Sequence, residues 1–208
     1  MSSLGKRLRQ RRILKNGRSL VLPMDHAIYS GPVAGLENPG QVVRTAAESG
    51  ADAILCTAGM LETVSADLGD LAVILRIDGT HTRLGHHLET THLIASVEHA
   101  CRLGVEAVAI NVFIGTDNED VLLSKLGKVA EDCRREGMVL VGEMIPERLL
   151  RRHYGNEGAD PNPEEKADLI ATAARVGAEI GVDLLKINYS GTADTYRPVV
   201  ESCLRPVL

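Results

Sequence analysis

Short runs of β-branched residues and leucine recur along this chain and alternate with longer stretches whose apolar residues fall at helical spacing. No other feature limits the fold so much. The runs occupy residues 19–22, 53–56, 72–77, 107–112, 138–141, 184–187 and 206–208, and their near-continuous apolar character predicts strands buried on both faces. Between them, residues 41–49, 91–103, 118–135 and 163–180 carry the helical pattern. Glycine stands just ahead of several of the runs, at Gly50, Gly104, Gly137 and Gly181, where it suits a left-handed helix cap and a short return loop. Strict β-then-α alternation with such loops predicts a parallel sheet wrapped by helices.

An open doubly wound sheet and a closed barrel share that pattern. A dinucleotide-binding open sheet would carry G-x-G-x-x-G after its first strand, and Pro23-Met24-Asp25-His26 stands there instead. The expected fold class is therefore α/β, a (β/α)8 TIM barrel. Six complete βα units and the start of a seventh strand can be counted, so the barrel reads as truncated after the sixth unit, with strands 7 and 8 missing or incomplete. In a barrel, chemistry sits at the C-terminal strand ends and the loops that follow them.

At 208 residues the chain is expected to form a single barrel domain spanning 1–208. Its longest apolar runs fall far short of the roughly 18 residues of a membrane span, and residues 1–12 are basic without an apolar signal segment behind them. A solvated N-terminal helix is expected there. With a net charge of −5, neither a nucleic-acid nor a membrane partner is expected. Cys56, Cys101, Cys133 and Cys203 are scattered and read as reduced thiols of a cytoplasmic protein. Aromatic residues make up only 2% of the chain, too few for base-stacking platforms.

Lys186 lies at the end of the sixth predicted strand, within Asp183-Leu184-Leu185-Lys186-Ile187-Asn188-Tyr189-Ser190-Gly191. A lysine directed into a barrel is costly to keep charged. A neutral amine there can attack a carbonyl and form a Schiff base, whose iminium withdraws electrons during carbon–carbon cleavage. The alternative is an ammonium that reaches solvent from the strand end. After the first strand, Asp25 and His26 are adjacent, and alternation lets only one face the interior. Asp25 is expected to do so, orienting substrate hydroxyls or relaying protons; otherwise it pairs with an interior cation or caps a loop. Asp78 and His81 follow the third strand with a weaker signal. His81, His86, His87 and His92 lack the spacing of a zinc site and read as a surface loop, so no metal ligand is assigned.

Together these segments resemble the DeoC/FbaB aldolase family, in particular the archaeal-type class I fructose-bisphosphate aldolases and aminodideoxyheptulosonate synthase relatives. The stretches that carry the resemblance are Pro23-Met24-Asp25-His26 with Gly31-Pro32-Val33-Ala34-Gly35-Leu36-Glu37, Ser96-Val97-Glu98-His99-Ala100-Cys101-Arg102-Leu103-Gly104, Asn111-Val112-Phe113-Ile114-Gly115 with Glu119, and the segment running from Ala178 through Lys186 to Gly191. The resemblance implies that Lys186 is the Schiff-base lysine and Asp25 the first-strand aspartate; His26, Asp78, Asn111 and Gly191 are the expected substrate-binding positions. It implies no metal or other cofactor.

Two departures stand out. Where the family carries an acid/base tyrosine after the fifth strand, this chain has Glu143-Met144-Ile145-Pro146-Glu147-Arg148, with Ile145 in the tyrosine's place. Isoleucine transfers no protons, so Glu143, Tyr154 or Tyr189 must replace it, or the reaction differs. The family's glycine-rich phosphate-binding loops follow strands 7 and 8, so weak phosphate binding and homo-oligomerisation through open strand edges are expected. The expected function is a class I aldolase or transaldolase acting on a small phosphorylated ketose or related keto substrate. The rival expectations are a non-catalytic sugar-phosphate-binding barrel, and a metal-dependent lyase using Asp25, His26 and His81.

Overall fold

The computed structural model describes residues 3–85, 90–153 and 160–208. The chain forms two compact units, Met1–Ala109 with Asp132–Val139 and Ile110–Glu131 with Leu140–Leu208.

The first unit opens with α1 (Leu4–Ile13), capped by the Ser3 hydroxyl, which accepts from the Lys6 amide. This helix is less solvated than expected. Ile13 is fully buried and Lys6 nearly so, and two arginines fasten the helix to the start of other elements. Arg9 donates to the Gly137 carbonyl at 3.2 Å, and Arg12 meets Glu106 at 2.7 Å. Glu106 in turn accepts from the Val73 amide at 2.8 Å, so one carboxylate ties the helix to the strand layer.

Three parallel strands follow: β1 (Val21–Pro23), β2 (Ala53–Cys56) and β3 (Ala72–Arg76), with Val21 opposite Ala53 and Ile54 opposite Val73. Every residue of β2 and β3 is buried, as their apolar runs require. The helices α2 (Ala27–Ser30), α3 (Pro39–Glu48) and α4 (Ala58–Val64) lie between them in the chain. Asn38 caps α3 with Pro39 at its first turn, and Thr57 caps α4.

Residues 91–103 depart from the expected single helix. Thr91–Leu93 forms β5, antiparallel to β4 (Asp78–Thr80), with Asp78 opposite Leu93. The helix, α5 (Val97–Leu103), begins only after Ser96, whose hydroxyl accepts from the His99 amide at 3.0 Å. A β-branched start and a serine cap outweighed the helical spacing. Gly104 ends α5 at φ 77°, a left-handed conformation that costs glycine little.

The strand β6 (Ala107–Ile114) begins in the first unit, where Ile74 to Arg76 pair in parallel with Ala107 to Ala109. In the second unit, α6 (Glu119–Glu136) begins, and β7 (Val139–Pro146) runs parallel to β8 (Leu184–Lys186). Between the last two come α7 (Glu147–His153) and α8 (Pro163–Ile180). A full capping box joins Asn162 and Glu165 at the start of α8, and Gly181 closes it at φ 120°. The final helix, α9 (Ala193–Ser202), is capped by Thr192.

Residues 206–208, expected as a seventh strand, make a parallel bridge in which Val207 lies opposite Leu185. The fifth predicted strand, by contrast, is longer than expected. It extends through Pro146, which puts Glu143 and Ile145 inside the strand rather than in a loop after it. The expected α/β class with parallel strands is what the structure has.

Candidate active site

Lys186 ends β8 directly opposite Glu143 of β7. Opposed residues on neighbouring parallel strands point to the same side, and the Lys186 ammonium forms an ion pair with the Glu143 carboxylate. Both side chains are partly buried, Lys186 more exposed than Glu143. The sequence led to an amine among apolar neighbours; what stands beside it is a carboxylate that pairs with the ammonium.

Packing by α8 decides which side of β7 they occupy. A Cβ built on Gly177 of α8 would come within 2.8 Å of the Met144 sulfur, and one on Gly142 within 2.7 Å of Val182 Cγ2. Gly142 and Met144 therefore face α8 and its exit. Alternation along the strand puts Glu143 and Ile145 on the opposite side, where both remain half-buried. At the root of the pair, Asp183 accepts from the Leu140 amide at 2.9 Å while its own amide donates back to the Leu140 carbonyl at 3.0 Å. This exchange sets the register three residues before Lys186.

Beyond Lys186 the chain leaves β8 through Tyr189, Ser190 and Gly191. Tyr189 is 57% exposed and meets Tyr196 edge to face at 5.0 Å. Burial, with Cys203 and Tyr189 nearby, raises the Tyr196 hydroxyl above its ordinary pKa. Gly191 has φ 117°, so a side chain there would be strained although only Pro163 lies near. Asn111 lies within β6, and its carbonyl accepts from the Lys125 ammonium at 3.0 Å.

The first unit holds a separate ionic cluster. Asp25 follows β1, and its carboxylate accepts from Arg76 Nε at 2.8 Å; Arg76 Nη1 also reaches Asp78 at 3.4 Å. All three are buried, with relative exposures of 8%, 3% and 0%. Two carboxylates thus share one guanidinium at the ends of β1 and β3. Of the roles left open for Asp25, pairing with an interior cation is the one its contacts display.

Arg76 was not singled out from the sequence, although the signal was available as a lone arginine inside the run Ala72-Val73-Ile74-Leu75-Arg76-Ile77. Nearby, the Cys56 thiol is pushed up to about 12, mainly by burial and secondarily by the negative charge of Asp25. Such a thiol is inert as a nucleophile at neutral pH.

His26 precedes α2 without a side-chain capping bond, and its ring meets Tyr29 edge to face at 6.2 Å. His81 and His92 are exposed. His86, His87 and Tyr154 lie outside the described residues. All four cysteines are free thiols. Among the described residues, no three of His, Cys, Asp and Glu are grouped so as to hold a metal ion, and no helix is long and apolar enough to cross a membrane.

A β8 lysine paired in register with a carboxylate, on an α/β scaffold of parallel strands, is the setting in which the comparisons place an aldolase family. The profile of the DeoC/LacD family aldolases matches residues 19–208, and the chain belongs to that family. Its similar relatives include 2-amino-3,7-dideoxy-D-threo-hept-6-ulosonate synthase of Halobacterium salinarum, 31% identical over all of this chain and 74% of the relative. Synthase 1 of the same name from Archaeoglobus fulgidus is 33% identical over 99% of this chain and 72% of its own length. Among solved structures, an archaeal fructose-1,6-bisphosphate aldolase with its catalytic lysine covalently bound to a carbinolamine intermediate matches with a TM-score of 0.80. It shares 27% identity over 98% of this chain and 78% of its own.

Proposed function

We propose that this protein is a class I, Schiff-base aldolase or transaldolase that makes or breaks a carbon–carbon bond in a small phosphorylated ketose or related sugar, with Lys186 as its nucleophile. The observation that carries the reading is the Lys186–Glu143 pair, held by strand register in a member of an aldolase family. We also read the parallel strands as those of a (β/α)8 barrel, in which a strand-end lysine is where chemistry belongs.

The steps balance without a metal. Glu143 accepts a proton from the ammonium, and the freed amine adds to the substrate carbonyl to give a carbinolamine. Glu143 then returns the proton to the departing hydroxyl, water leaves, and an iminium remains. The scissile carbon–carbon bond breaks with its electron pair moving into the iminium to form an enamine, while the hydroxyl of the leaving aldehyde gives up its proton to the Glu143 carboxylate. Protonation of the enamine and addition of water release the second product and restore the lysine.

Of the described groups that can replace the absent tyrosine, Glu143 is in contact with Lys186, whereas Tyr189 meets Tyr196 edge to face. Asp25, braced by Arg76, remains a proposed catalytic acidic group, and His26, Asp78, Asn111 and Gly191 remain the proposed substrate-binding positions.

Intact-mass measurement after borohydride reduction tests the proposal. Incubation with dihydroxyacetone phosphate should add the mass of one ketone less one oxygen, since water is lost in forming the imine and two hydrogens are gained on its reduction. The Lys186→Met variant should add nothing. A folded wild-type protein that gives no adduct with any small ketone overturns the mechanism.

A further inference from the structure

We propose that Ile145 determines the substrate at this site by selecting a ketone whose carbon beside the carbonyl is an unhydroxylated alkyl group, in preference to a hydroxymethyl. The inference rests on the Schiff-base reading of Lys186 and says which carbonyl compounds that amine accepts.

The geometry follows from β7 alone. Glu143 and Ile145 occupy the same side of the strand, because Gly142 and Met144 are turned to Val182 and α8. Two residues along a parallel strand correspond to about 6.6 Å, which is the reach of a short substrate arm from the Lys186–Glu143 pair. Ile145 is half-buried, and alternation along the strand puts its side chain on the side that carries the carboxylate.

A carbonyl carbon joined to Lys186 carries two substituents. Where one extends along β7, it passes from a carboxylate to a branched hydrocarbon that neither donates nor accepts a hydrogen bond. A methyl or methylene laid there removes apolar surface from water. A hydroxyl laid there gives up hydrogen bonds to water and gains none from the side chain. The polar end of the substrate is left for the carboxylate side.

An apolar pocket discriminates against a single added hydroxyl by about 10- to 100-fold, and that range is expected here. The probes are hydroxyacetone and dihydroxyacetone, which differ by one hydroxyl and carry no phosphate, so that phosphate affinity does not enter. Equimolar amounts are offered to the protein with borohydride, and the two adducts, which differ by one oxygen, are compared by intact mass. The ratio is normalised to that given by a free lysine derivative, which removes intrinsic carbonyl reactivity.

Wild-type protein is expected to favour the hydroxyacetone adduct by about 10- to 100-fold. Ile145→Val should retain the preference and Ile145→Thr should bring the ratio near one, each variant first shown to melt cooperatively. Adducts at parity in the wild type, or a ratio that Ile145→Thr leaves unchanged, overturn the role of Ile145 while Lys186 chemistry stands. No adduct with either ketone overturns the Schiff-base reading and this inference with it.

Discussion

A single charged residue inside an apolar run was the most informative signal in this chain, and it was used at one position and passed over at another. Lys186 drew notice because Leu184 and Leu185 precede it; Arg76 stands in an equally apolar run and did not. Glu143 and Asp25 were candidates in their own right, but their pairing with Lys186 and Arg76 was illegible, since they lie 43 and 51 residues away in sequence and spacing along a chain says nothing about which strands become neighbours. The two ionic groups call for different outcomes on mutation. Glu143→Gln keeps the shape of the side chain but removes its capacity to take a proton. Turnover should fall by about 10²- to 10⁴-fold while slow borohydride trapping at Lys186 persists. Unchanged turnover would assign the proton transfers to another group. Arg76→Met should instead act on stability, because it leaves the buried Asp25 and Asp78 carboxylates without their shared guanidinium. Breaking such a pair from one side costs about 3–5 kcal/mol, which urea denaturation would register as a lower midpoint.

At the scale of elements, the helices with strong end signals were the readable ones. The 163–180 segment is reproduced residue for residue as α8, with Asn162, Pro163 and Glu165 at one end and Gly181 at the other. Residues 91–103 misled because a helical spacing of apolar residues includes Thr91 and Leu93, which pair with β4 instead. Antiparallel pairing is a property of two segments, and the intervening stretch gave no tight-turn signature such as Asn-Gly to announce it. The apolar run expected as the fifth strand ends at residue 141, whereas β7 continues to Pro146. In the structure Gly142 is where Val182 packs closest, and Gly177 of α8 makes room for Met144. Those two glycines let helix and strand approach, and through them α8 sets the side of β7 on which Glu143 emerges. Gly177→Ala therefore forces Met144 to move. It should destabilise the protein by about 1–3 kcal/mol, the usual range for overpacking, and lower turnover more than it lowers substrate affinity. Restored stability and turnover in a Gly177→Ala, Met144→Ala double variant would tie the effect to that contact; full activity in the single variant would show that β7 tolerates the shift.

For the molecule as a whole, alternation of strand and helix patterns sufficed for an α/β fold with parallel strands, because each βα step obeys local rules of burial and loop length. It could not reveal that the chain divides within β6, α6 and β7 into two compact units, since each boundary falls inside a continuous element rather than at a loop or linker. Nor could it separate a Schiff-base lyase from a metal-dependent one, because barrels serve both and carboxylates and histidines follow their strands in either case. The distinction is chemical. In the lysine mechanism the iminium accepts the electrons of the broken bond, a task that a metal-dependent lyase gives to a Lewis acid. Treating the whole protein with a strong chelator and then desalting it should leave both the borohydride adduct at Lys186 and the rate of carbon–carbon cleavage as they were. Loss of cleavage with recovery on adding zinc or magnesium, while the adduct persists, would mean that the lysine binds the carbonyl but a metal performs the bond breaking. Asp25, His26 and His81 would then be the residues to mutate, and the buried pairing of Asp25 with Arg76 would have to open to admit the ion.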